Sequence, residues 1–108
     1  MNEAQQIMGG KPIPLTAPIK AHGDEMHQLH LRRPTPAEVK KIGFLPYRVI
    51  DMDTGALTPD MRVADEYISV CADIPTSSVG QLDLVDLNKL SWAICGFFTT
   101  PASSASSS

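Results

Sequence analysis

Cysteine is scarce in this chain of 108 residues, which has only Cys71 and Cys95. Neither shows the clustered spacing of a disulfide framework or a zinc site, and both fall in segments that read as helical and apolar. Both are expected to be reduced and buried. Aromatic residues make up 6% of the chain, so the core must be mostly aliphatic and modest in size. No run of about twenty apolar residues occurs, which removes a membrane-spanning helix. No apolar run follows a charged start in the manner of an export signal, so the expected location is the cytoplasm where the chain is made. Net charge is only −3, and no stretch is dense enough in Lys and Arg to argue for nucleic-acid binding.

Proline is abundant, at nine residues, and charge is unevenly spread. Residues 11 to 48 carry seven Lys or Arg against three acids, while residues 49 to 89 carry eight acids against two basic residues. Such halves can dock on each other, orient a partner, or simply present solvated charge.

The chain reads as a single α+β domain over residues 17–98, between a flexible arm at 1–16 and a disordered Ser-rich tail at 99–108. Gly9, Gly10, Pro12 and Pro14 interrupt regular structure in the arm. Ile19 to His22 and Met26 to Leu31 read as two strands joined by a polar turn containing Gly23, an N-terminal β-hairpin. Leu29 and Leu31 point to one face, His30 and Arg32 to the other. An isolated hairpin is marginal in water, so the leucine face must lie on something apolar. Pro34 stops the strand. Thr35 is placed to cap a helix, Pro36 suits its first turn, and Glu38 stands where a capping box needs it.

A small bundle of three or so helices is expected next. The first runs from Pro36 to about Ile42, with Gly43 as its stop. The connector from Phe44 to Thr58 contains Tyr47 to Ile50, which reads as a short strand or as irregular chain. Thr58 and Pro59 repeat the cap-plus-proline start, and Leu57, Met61, Ala64, Ile68 and Cys71 recur at helical spacing through about residue 72. Thr76 to Ser78 form a polar joint. Asp83 can cap the last helix, with Asp86 in the capping-box position. Leu84, Leu87, Leu90, Ile94 and Phe97 or Phe98 form its apolar side, and Asp86, Asn88, Lys89 and Ser91 its polar side.

Little here resembles a reactive site. His27 and His30 differ by three on a strand and project to opposite faces, which suits no shared metal. Asp51, Asp53 and Gly55 resemble the start of a calcium loop, but the glycine comes one position early and Arg62 stands where the bidentate glutamate belongs. Asp65 and Glu66 diverge by about 100° on a helix and lack a companion acid or phosphate cradle. Cys95 in an apolar helix is disfavoured as a thiolate. No metal, cofactor or catalytic residue is assigned. Partner binding remains, and composition leaves open whether the apolar stripes pack on one another or on a second chain.

Taken in order, Ala17-Pro18-Ile19, Gly23, Leu29-His30-Leu31-Arg32-Arg33-Pro34-Thr35, and Val85-Asp86-Leu87 through Cys95-Gly96-Phe97-Phe98 resemble the tail assembly chaperone family of Mu-like and related contractile-tailed phages. Members show a proline-isoleucine strand, a glycine turn, a Leu-x-Leu-Arg-x-Pro-Thr junction and a last helix closing on Gly-Phe-Phe or a similar triplet. The resemblance spans about residues 15 to 98, and the connector from Phe44 to Pro59 departs most from the pattern. It implies a non-catalytic protein of the host cytoplasm that binds the tape measure protein, keeps it soluble, helps recruit tail tube subunits, self-associates, and is absent from the finished tail. The rival expectation is a small tail or baseplate component retained in the virion. The expected partner-binding residues are Leu87, Leu90, Ile94, Phe97 and Phe98, with Leu57, Met61 and Ile68 as a second stripe. At the junction of Leu29, Leu31, Arg32, Arg33, Pro34 and Thr35, the two arginines are expected to tie the hairpin to the acidic second half or to meet tape-measure carboxylates.

Overall fold

The turn at His22 and Gly23 sets the first element, because both residues have positive φ, 55° and 81°. That combination is the mirror-image turn that matches strand twist, and Gly23 adopts it without steric penalty. The turn closes an antiparallel hairpin of β1 (Lys11–Ala21) and β2 (Asp24–Leu31) in a computed structural model that describes residues 11–100. The hairpin is therefore longer than the sequence indicates. Residues 11 to 16, assigned above to a flexible arm, are strand; the rest of the arm and residues 101–108 of the tail lie outside the described residues.

Prolines interrupt β1 without ending it. Pro14 lies opposite Gln28 and Ile19 opposite Met26, so residues 15 to 18 bulge out against His27 alone. Among positions 12, 14, 16, 18 and 20 of β1, three are prolines with no N–H to leave unpaired. The other two N–H groups, of Thr16 and Lys20, are taken by Asp86 and Gln81. A strand edge whose donors are missing or used tolerates proline and resists pairing with strangers.

The next element follows its local code. Helix α1 (Pro36–Ile42) carries the complete Thr35/Glu38 capping box and ends at Gly43, with φ 86°. Residues 47 to 59 then form a second hairpin, β3 (Tyr47–Asp51) with β4 (Ala56–Pro59), closed by a turn in which Gly55 has φ 73°. Thr58 and Pro59 thus belong to a strand rather than to a helix start. Pro59 pairs with Tyr47, and the Asp60 N–H donates to the Pro46 carbonyl at 2.8 Å. Helix α2 (Met61–Ala72) begins two residues later than expected at 59, without a side-chain cap. A short α3 (Thr76–Val79) occupies the polar joint and α4 (Leu84–Thr99) follows, so the described residues hold four helices where a bundle of three or so is expected.

The core sits between the first hairpin and the helices. Ile19, Leu29 and Leu31 of the hairpin meet Tyr67, Ile68 and Cys71 of α2 and Leu90 and Ile94 of α4. Each fully buried aliphatic side chain contributes about 1.5–3 kcal/mol, enough for the helices to hold a hairpin that could not stand alone. Tyr67 is enclosed and donates its hydroxyl to the Phe44 carbonyl at 2.6 Å, so its polar end is satisfied. Its ring meets Phe98 edge-on at 5.5 Å, and Phe98 meets Tyr47 at 5.8 Å, joining α2, α4 and the second hairpin.

Candidate partner-binding surface

Arg32 locks three elements together. Its guanidinium grips both carboxylate oxygens of Glu38, at 2.9 and 2.7 Å, and donates to the Val70 carbonyl, while its backbone N–H donates to the Cys71 carbonyl. Strand β2 is thereby tied to the start of α1 and the end of α2. Bidentate arginine and carboxylate pairing is among the strong hydrogen-bonding arrangements. The Arg32 hydrogen bond, with those from Thr35, holds the Glu38 carboxyl down at about 2. Glu38 raises the Arg32 pKa in return. Arg32 thus reaches the second half of the chain through the Val70 and Cys71 carbonyls of α2, while the carboxylate it pairs with is on α1, six residues away.

Arg33 takes a different path. It donates to the Phe97 carbonyl at 2.6 Å and lies over the Phe97 ring, 5.6 Å from its centre. A cation at the last turn of α4 suits the exposed carbonyls there. Around it, Pro34, Val39, Lys40, Phe97 and Phe98 line a groove of about 250 Å³. Its walls are apolar and its two charged residues, Arg33 and Lys40, are both positive.

Helix α4 has two unlike apolar arcs. Asp86, Leu90, Ser91, Ile94 and Cys95 are buried. Leu84, Val85 and Trp92, grouped within about 100° of arc at 3.6 residues per turn, are 80%, 60% and 48% exposed. The polar side assigned from sequence is corrected at two positions. Asp86 makes no capping box; Asp83 caps by accepting from the Val85 N–H, and Asp86 points inward to the β1 bulge. Ser91 is enclosed and donates to the Met61 sulfur at 3.8 Å.

The proposed binding residues therefore divide. Leu90, Ile94 and Ile68 are completely enclosed, so they are core in this conformation and present no surface. Leu57, Leu87, Phe97 and Phe98 are half-buried, and Met61 reaches solvent. Of the junction residues, Leu29 and Leu31 are core, Arg32, Arg33 and Pro34 are half-buried, and Thr35 is exposed as a cap. Sequence reasoning missed Phe44, Leu45, Val49, Ile50 and Met52, all exposed on the connector and second hairpin. A signal was available for Trp92, which shares a helical stripe with Val85 and with Leu84, the residue that opens the side read as apolar.

Burial also settles the two thiols. Desolvation pushes Cys71 up to about 12 and raises Cys95, so neither is poised as a nucleophile. No group of three or more His, Cys, Asp or Glu that could hold a metal occurs among the described residues, and no helix among them is long and apolar enough to cross a membrane.

Fully enclosed core residues thus lie beside aliphatic and aromatic side chains that the fold leaves exposed. A family model described as "Phage tail assembly chaperone proteins, E, or 41 or 14" matches residues 12–99, and the chain belongs to that family. No curated protein and no solved structure matches it.

Proposed function

We propose that the protein binds the tape measure protein in the host cytoplasm, keeps it soluble before the tube assembles, and helps recruit tail tube subunits without catalysing a reaction. The observation that carries this reading is the exposed arc of Leu84, Val85 and Trp92 on α4, with Met61 alongside the buried face through its contact with Ser91. A long helical client with exposed apolar residues needs temporary cover, and an aliphatic arc with an aromatic anchor on a helix rigidly seated in the core offers it. Half-buried Leu57, Leu87, Phe97 and Phe98 extend the apolar surface. Leu90, Ile94 and Ile68 support the contact from beneath.

The test is co-expression with the tape measure protein of the same phage. The pair is expected in the soluble fraction where the tape measure alone precipitates. A folded Val85→Asp, Trp92→Asp variant is expected to lose the rescue; full rescue by that variant would overturn the surface assignment. Mass spectrometry of purified virions should find the protein absent, and retention at structural copy number would favour a virion component.

A further inference from the structure

Helix α1 has an apolar side that the described residues leave partly uncovered. A surface helix ordinarily buries its apolar stripe, yet no residue of α1 is buried, and Val39 is only half-buried. Val39 forms one wall of the groove at the end of α4, opposite Phe97 and Phe98, themselves half-buried. The groove, of about 250 Å³, has room for two aliphatic side chains. Its charged residues are Arg33 and Lys40, and no carboxylate lines it.

The register of the first hairpin says which part of the chain comes nearest. Lys11, where β1 begins, is the partner of Leu31 near the end of β2. Because the two strands are antiparallel, the chain before Lys11 heads the way that Arg32, Arg33 and Pro34 go after Leu31, towards the groove. Strands lie about 5 Å apart and rise about 3.3 Å per residue, which brings Lys11 within about 10 Å of Arg33, the reach of three or four residues.

Residues 1–10, outside the described residues, read Met-Asn-Glu-Ala-Gln-Gln-Ile-Met-Gly-Gly. Ile7 and Met8 stand three or four positions before Lys11, and Glu3 is the one charged side chain, opposite in sign to Arg33 and Lys40. Residues 101–108, which follow α4 past the same groove, offer no acid and no side chain larger than proline.

We propose that the groove seats the chain's own N-terminal segment, with Ile7 and Met8 against Val39, Phe97 and Phe98 and with Glu3 facing Arg33 and Lys40. Gly9 and Gly10 let the chain leave the line of β1 and pass close to the backbone at Pro34. Tethering at Lys11 gives the segment a high effective concentration at the groove, so apolar contact suffices and the surface charges serve mainly to select it. Phe97 and Phe98 are then covered at rest, and another chain reaches them only by displacing residues 1–10. The inference stands whether or not that chain is the tape measure protein.

The experiment is nuclear magnetic resonance of the full chain with isotope-labelled methionine methyl groups, repeated on a mixture of labelled and unlabelled protein. Overhauser contacts from the Met8 methyl to the Phe97 and Phe98 rings are expected within one molecule and should survive dilution. Ile7→Ser with Met8→Ser should shift the signals of both rings while leaving the circular dichroism spectrum native. Glu3→Lys should weaken the Met8 contacts severalfold. Absence of the contacts would overturn the proposal. So would contacts found only between labelled and unlabelled molecules, which would assign the groove to a second copy, or ring signals indifferent to the double substitution, which would leave the groove open to another chain. A Glu3→Lys chain that docks as the wild type does would also overturn it, because charge is what selects this segment.

Discussion

Asp86 on α4 and Thr16 in the β1 bulge are 70 residues apart in sequence and join the last helix to the first hairpin through hydrogen bonds to both the backbone and the side chain of Thr16. The carboxylate, with no exposed surface, accepts from the Thr16 N–H at 3.0 and 2.9 Å and from the Thr16 hydroxyl at 3.0 Å, with the Ala17 N–H at 3.5 Å. Lys89, one turn along α4, stands 3.9 Å from the same carboxylate and donates to the Pro14 carbonyl. A buried charge is tolerated because amide donors surround it, and the amides of a proline-rich bulge find in it the partner that β2 cannot supply.

Replacing Asp86 with Ala should cost about 1–3 kcal/mol, since it leaves a gap at a fully enclosed position and removes the acceptor that ties the Thr16 N–H and hydroxyl to α4. Urea unfolding measures the loss. Amide exchange at Thr16 and Ala17 should quicken more than at Leu29 and Leu31, which would distinguish loss of the bulge contact from general loosening.

Leu90 and Trp92 should behave oppositely although they are two residues apart. Leu90→Ala removes a fully enclosed side chain and should cost about 2–5 kcal/mol. Trp92→Ala alters a half-exposed one, should change stability by less than about 1 kcal/mol, and should instead weaken client solubilisation. Thermal melts and the co-expression assay read the two effects separately.

The clasp between Arg32 and Glu38 should appear in the pH dependence of stability. Glu38 titrates near 2 in the folded chain against an ordinary 4.5, so its contribution is complete above about 4.5 and is lost as pH falls towards 2. Glu38→Gln lacks this titration. The wild type should therefore lose its stability advantage over that variant between those pH values, and parallel curves would show that the clasp does not stabilise the fold.

Both thiols should be silent towards an aromatic disulfide reagent in the native protein at neutral pH and should react together once urea unfolds it, because burial holds Cys71 up at about 12 and raises Cys95. Prompt labelling of Cys71 without unfolding would mean that α2 opens locally.

Much of the fold was legible wherever neighbours in sequence decide the outcome. Thr35 and Glu38 cap α1, Gly43 ends it, and the turn before Asp24 reverses the chain, all within a few residues of one another. The periodic burial of Leu29 and Leu31 is equally local in its logic. The elements that escaped depend on partners far along the chain. Pro12 and Pro14 look like breakers until the edge they occupy is seen to need no donors. Thr58 and Pro59 match a helix start until Tyr47 pairs with Pro59 and Pro46 accepts from Asp60. The candidate surface escaped for the same reason, because helical spacing marks Leu90 and Ile94 as apolar without saying whether the first hairpin will cover them.

By itself, the order of residues determined an α+β chain, the caps and stops of α1, the first hairpin and its buried leucines, and an apolar last helix, since backbone sterics and short-range hydrogen bonds act over a few positions. Only the tertiary structure decided which apolar side chains face water and that Asp86 turns inward to Thr16. Burial and the pairing of distant polar groups are properties of surfaces brought together, and they come into being only when the hairpin and helices close on one another.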